Sequence, residues 1–111
     1  MKASTDDFLR ELKLIAHHME ETYRSKLESI TSPLLLVIRL PDGTDARFVI
    51  SKQGIKLYQE EQDIPQKIFI TYRDFMRVLE KPSRAPRYLL EGRIKVVGDH
   101  RILMKIFENT L

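Results

Sequence analysis

The sequence predicts an α+β domain, a five-stranded, mainly antiparallel sheet with helices packed on one of its faces. Three observations predict it. Long stretches carry apolar residues every three or four positions; five short segments between them are rich in strand formers; and the alternating segments send apolar side chains to one side and Lys or Arg to the other. The 111 residues include 19 Lys plus Arg, 16 Asp plus Glu and no Cys, with 42% in the hydrophobic set. That is one domain, because two halves would each approach the lower size limit for folding without disulfides or metal. Within it, residues 1–32 read as an N-terminal amphipathic helix and residues 33–111 as the sheet with its covering helices.

From Asp6 to Ile30, the residues Phe8, Leu12, Ile15, Met19, Tyr23, Leu27 and Ile30 form one helical stripe. Ser4 with Asp7, or Thr5 with the two acids after it, supplies the N-cap, and Ser32-Pro33 ends the helix. The period then changes. Leu34-Leu35-Leu36-Val37-Ile38-Arg39-Leu40, Ala46-Arg47-Phe48-Val49-Ile50-Ser51 and Ile55-Lys56-Leu57-Tyr58 are strands, joined by turns at Pro41-Asp42-Gly43-Thr44 and Lys52-Gln53-Gly54 into an antiparallel meander. A polar loop from Glu60 to Lys67 leads to a fourth strand, Ile68-Phe69-Ile70. Thr71-Tyr72-Arg73-Asp74 caps a helix that Lys81-Pro82 stops. Another helix starts near Ala85-Pro86 and closes at Gly92. Arg93 to Val97 is the fifth strand, and Asp99 caps a last helix carrying Ile102, Leu103, Ile106 and Phe107.

Absent Cys removes disulfides, thiolate zinc sites, iron–sulfur clusters and cysteine nucleophiles. The longest apolar run, Leu34 to Ile38, is far short of the roughly 20 residues of a spanning helix. The first residues turn acidic where an export signal turns apolar, so a cytoplasmic address is expected. No hydrolase, kinase or P-loop pattern occurs, Gly43 and Gly54 are isolated turn glycines, and turn chemistry accounts for Asp42 and Asp45. A protein that is not an enzyme and needs no cofactor is expected. His17 and His18 project about 100° apart on a helix, and His17 with Glu21 supplies two ligands without a third, so no metal site is expected.

The pleat places Ala46, Phe48, Ile50, Ile55, Leu57, Ile94 and Val96 on a dry face and Arg39, Arg47, Lys56, Arg93 and Lys95 on a wet one. The layer between sheet and helices either closes as a core or stays open as a lipid-sized cavity, and patterning does not separate the two. The basic face is either solvated or meets phosphates of a membrane or nucleic acid. Only Tyr58 interrupts it, and single-stranded nucleic acid wants several stacking rings, which argues against a nucleic-acid partner.

The run Gly92-Arg93-Ile94-Lys95-Val96-Val97-Gly98-Asp99, followed by Ile102-Leu103-Met104-Lys105-Ile106, resembles the C-terminal signature of the sterol carrier protein 2 domain family. Upstream, Phe69-Ile70-Thr71-Tyr72-Arg73-Asp74-Phe75-Met76 is similar to that family's strand, threonine and capped helix, and the Asp42-Gly43 turn and Gly54 sit where its first strands turn. The resemblance covers roughly Pro33 to Leu111. It implies an apolar tunnel between sheet and helices for a fatty acid, acyl chain, sterol or isoprenoid, and carriage without chemistry. The candidate lining is then Phe48, Ile50, Leu57, Phe75, Met76, Tyr88, Leu89, Ile94, Val96, Leu103, Met104 and Phe107, with plain core packing as the alternative. The last helix, Ile102 to Leu111, is the expected mobile cover. Transient docking of Arg39, Arg47, Lys56, Arg93 and Lys95 on anionic lipid heads is compatible with a carrier. The competing reading is an accessory protein-interaction module with a filled core. Neither the cargo nor the oligomeric state is encoded in these motifs.

Overall fold

A strand made of Leu34-Leu35-Leu36-Val37-Ile38 is apolar at every position and must be covered on both faces. The computed structural model, which describes residues 4–99 and 101, puts it at the centre of the molecule. β1 (Leu34–Arg39) is the middle strand of a five-stranded sheet with β2 (Asp45–Ser51), β3 (Gly54–Leu57), β4 (Lys67–Thr71) and β5 (Lys95–Val97). The order is β3-β2-β1-β4-β5. The first three strands form the expected antiparallel meander, β4 joins β1 in parallel, and β5 is antiparallel to β4. The sheet is therefore mixed and mostly antiparallel, the predicted α+β class.

Register aligns Leu57, Phe48, Leu36, Ile68 and Val96 in one row across all five strands, with Ala46, Ile38 and Ile70 in the next. Against these rows pack Leu12 and Ala16 of α1 (Thr5–Thr22), Phe75 of α3 (Tyr72–Glu80), and Ala85 and Tyr88 of α4 (Ala85–Leu90). Ser4 caps α1 as read from the sequence, accepting from the Asp7 N–H while Asp7 accepts from the Ser4 N–H. The Thr71 hydroxyl accepts from the Asp74 N–H to start α3, which stops at Glu80, and a 3-10 turn at Pro82–Arg84 leads into α4.

Two elements differ from expectation. The long first helix breaks at Tyr23 (φ −109°, ψ 21°) and resumes as α2 (Arg24–Leu27). The Thr22 hydroxyl donates to the His18 carbonyl at 3.0 Å, a back-bond that bends helices. The fifth strand starts at Lys95 and not Arg93, because the N–H groups of Arg93 and Ile94 both go to the Tyr88 carbonyl, at 2.9 and 3.2 Å, and close α4 instead of joining the sheet. The expected last helix, with His100 and Ile102 to Leu111, lies outside the described residues.

The outer sheet face is only partly wet. Leu35 and Val37 point there and are 2% and 7% exposed, covered by Ile64 with Val49 and Tyr58 around them. The topology requires a passage over one face of the sheet, and here it is the outer one. To lie parallel to β1 on its far side, β4 must be reached from the β3 edge, and segment 58–66 makes that passage across the outer face. The Tyr58 hydroxyl donates to the Gln62 carbonyl at 2.8 Å and Lys67 pairs with Asp63 at 2.8 Å, holding the passage in place. Among the described residues no helix is long and apolar enough to cross a membrane.

Candidate functional site

Beside the break at Tyr23, residues of α1, α2, the β2–β3 hairpin and the end of α3 line an apolar recess of about 150 Å³. Met19, Tyr23, Leu27 and Ile30 form one wall, Ile50 and Ile55 the sheet side, and Val78, Leu79 and Pro82 the far wall. Lys26 is its charged member, with Nζ 5.3 Å from the Tyr23 ring centroid. Ligand pockets for drug-sized molecules run roughly 300–1,000 Å³, so the recess is smaller than such a site.

Toward the middle of the sheet the helix layer is closed. Leu12, Ala16, Phe48, Ile50 and Phe75 leave a void of about 20 Å³, room for about one water. Of the residues singled out from sequence, Phe48, Phe75, Tyr88 and Ile94 are buried in this core, while Ile50, Leu57, Met76, Leu89 and Val96 are partly buried against it. Ile50 is the member of that set on the wall of the recess, and Leu57 with Phe48 borders a groove of about 210 Å³ between α1 and β3. Leu103, Met104 and Phe107 lie outside the described residues. Met19, Tyr23, Leu27 and Ile30 were legible only as a core stripe; nothing in their spacing marked the break at Tyr23 or the recess they line.

The five expected basic residues have different neighbours. Arg39 donates to both Asp45 carboxylate oxygens, at 2.8 and 3.4 Å. Arg47 stacks 5.2 Å over Tyr58, and Arg93 lies 4.9 Å over Tyr88 with Glu91 at 3.5 Å and Asp74 at 4.0 Å. Lys95 faces Phe69 across the β4–β5 ladder. An open cleft of about 420 Å³ on the outer face has Arg39, Arg93 and Lys95 around Val37 and Phe69, with Asp45 and Asp74 beside them. Lys56 bends away over the β3 edge to Glu20, at 3.1 Å.

Glu20 is a feature that the sequence reading missed. It is an acid on the apolar side of α1, 7% exposed, and accepts the Ile55 N–H at 2.8 Å. Burial pushes its carboxyl up, but the hydrogen bonds from Ile55 and Lys56 and the Lys56 charge outweigh that and hold it below the ordinary value of 4.5. Its position four residues after Ala16 on the buried stripe was the available signal. Gly54 makes the approach feasible: at φ +128°, a Cβ there would lie 2.7 Å from the Glu20 carboxyl carbon. Among the described residues, no group of three or more His, Asp or Glu could hold a metal.

A mixed five-stranded sheet with helices on one face and an apolar recess beneath them defines a small two-layer α+β domain. No family model matches the chain, and no curated protein matches it in sequence. Solved structures match it in shape. The sterol carrier protein domain 2 of Helicoverpa armigera superposes with a TM-score of 0.70 at 19% identity, over 97% of this chain and 90% of that one. Sterol carrier protein 2 like 2 of Aedes aegypti gives 0.63 at 14% identity, over 87% and 97%. The palmitated form from Aedes aegypti gives 0.67 at 12% identity, over 84% and 88%. The chain has the sterol carrier protein 2 fold.

Proposed function

We propose that the protein is a non-enzymatic lipid-binding protein that shelters an aliphatic chain, and hands it on, from the space between its helices and its sheet. The observation that carries this reading is the apolar recess bounded by α1–α2, the β2–β3 hairpin and the end of α3. It is supported by a fold shared with sterol carrier proteins, one of them solved as a palmitated protein. Each methylene buried is worth about 0.8 kcal/mol, so a chain is held without polar contacts. A recess of about 150 Å³ favours a fatty acid, acyl chain or isoprenoid tail over a sterol. Longer cargo extends the recess by parting Phe48 and Phe75 and engages Ile50, Leu57, Met76, Tyr88, Leu89, Ile94 and Val96, with Leu103, Met104 and Phe107 as the proposed cover.

A fluorescent fatty-acyl probe tests this directly. Saturable uptake is expected, together with a lipid adduct in native mass spectrometry that organic extraction releases. Filling the recess with Leu79→Trp should weaken uptake at least tenfold while leaving the circular dichroism spectrum unchanged. The closed centre around Phe75 favours a second reading, an interaction module with a filled core. Absence of both probe uptake and adduct would select it.

A further inference from the structure

The chain's charge is not spread evenly. Between residues 77 and 93, Arg77, Lys81, Arg84, Arg87 and Arg93 face only Glu80 and Glu91, an excess equal to the whole net charge of +3. The rest of the chain is balanced. This segment runs from the last turn of α3 through the 3-10 turn and α4 to Arg93, and α4 ends in Leu90, an exposed leucine with 90% of its surface in water. Arg87 and Leu90, three residues apart on α4, share one face, and Pro86 beside them is exposed as well. The same segment supplies Val78, Leu79 and Pro82 to the wall of the recess, and Lys26 adds a further cation there.

We propose that segment 77–93 is the surface by which the protein docks on an anionic lipid bilayer, with Leu90 entering the headgroup region and the basic side chains meeting lipid phosphates and carboxylates. Charge complementarity selects the occupant. A segment whose five cations keep an excess of three over Glu80 and Glu91, even with Arg84 paired to Glu80 at 3.3 Å and Arg87 to Glu91 at 3.0 Å, and which carries an exposed leucine, fits a negatively charged interface, which offers both a diffuse negative potential and an apolar layer beneath it. The outer sheet face is the weaker candidate, because its cleft sets Arg39, Arg93 and Lys95 against Asp45 and Asp74, a smaller charge excess than that of segment 77–93, with Val37 there buried and Phe69 less exposed than Leu90. Docking by segment 77–93 brings the Pro82 side of the recess to the bilayer. The purpose of docking rests on the lipid-carrier reading, but its measurement does not.

Co-sedimentation of the whole chain with vesicles of phosphatidylcholine, with or without phosphatidylserine, tests the surface. Binding is expected only to the serine-containing vesicles and should fall with added salt. The double variant Arg77→Gln/Lys81→Gln, at exposed positions, should bind about 25-fold more weakly, at a factor of about five per basic residue. Leu90→Ser should weaken binding as well, and Arg39→Gln/Lys95→Gln on the outer sheet face should bind as the unaltered protein does. Equal thermal unfolding of all four proteins separates docking from folding. The proposal is overturned by indifference of the unaltered protein to phosphatidylserine, by unchanged binding of both the double variant and Leu90→Ser, by loss of binding in the sheet-face variant, or by a single-stranded oligonucleotide displacing the vesicles. Probe uptake from solution should be unchanged in Leu90→Ser. A protein that sediments with vesicles but takes up no probe retains the docking surface and loses the carrier reading.

Discussion

Glu20 shows how one side chain sets a local structure. Its carboxylate receives the Ile55 N–H and the Lys56 ammonium beneath β3, and Gly54 clears the space. Glu20→Ala should therefore cost about 2–3 kcal/mol in urea unfolding, since it strands a buried donor that was bonded to a charge. Gly54→Ala should cost more than about 1 kcal/mol through its positive φ and the collision with the carboxylate. Because the folded carboxyl titrates below 4.5, the stability Glu20 contributes is present above that value and is lost as pH falls through the lowered folded one. The difference between the unaltered protein and Glu20→Gln should shrink on acidification below that point. Tyr72 has the opposite sense. Its hydroxyl donates to Glu11 at 2.7 Å, and burial, that bond and the Glu11 charge push it from 10.0 up to about 12. Its contribution is complete below 10 and lost as pH rises through about 12, and an alkaline ultraviolet titration should find one tyrosine ionising there, absent in Tyr72→Phe.

At the scale of elements, local sequence signals and long-range demands separate cleanly. The Ser4 and Thr71 caps, the Asp42-Gly43 turn and the stop at Lys81-Pro82 were legible because the chemistry lies within four residues of its effect. Thr71→Ala should cost about 1 kcal/mol, read from the unfolding midpoint. The break at Tyr23 was not legible, because apolar periodicity runs through it, and neither was the cover on the outer face. Alternation in β2 and β3 implied a wet side, whereas β1 is apolar on both, and only the β1–β4 parallel pairing shows that segment 58–66 must cross the sheet to reach β4. Ile64→Ala is expected to destabilise by about 2–4 kcal/mol, comparable to a core truncation despite its position in a loop.

For the molecule as a whole, the motifs around Gly92 to Asp99 and Phe69 to Met76 identified the fold, and superposition on sterol carrier proteins agrees with it. The recess was less accessible to reading, since a core residue and a wall residue have the same chemistry and differ only in how much space their neighbours leave. Phe48 and Ile50 are two positions apart on one strand face, yet Phe48 is 2% exposed and Ile50, only partly buried, is on the wall of the recess. Bound cargo should raise the unfolding temperature in a concentration-dependent way, by about 2.7 kcal/mol of stability at a hundredfold excess over Kd. The contact between Glu20 and β3 also bears on how the protein behaves in a crowded solution. β3 is an outer strand, and in an antiparallel ladder the Ile55 N–H, belonging to a pair that exchanges no bonds with Ile50, points away from the sheet. Such a group is an invitation for a strand of another molecule. A carboxylate from the same chain already holds it, and the negative charge it brings makes this rim a poor template for aggregation.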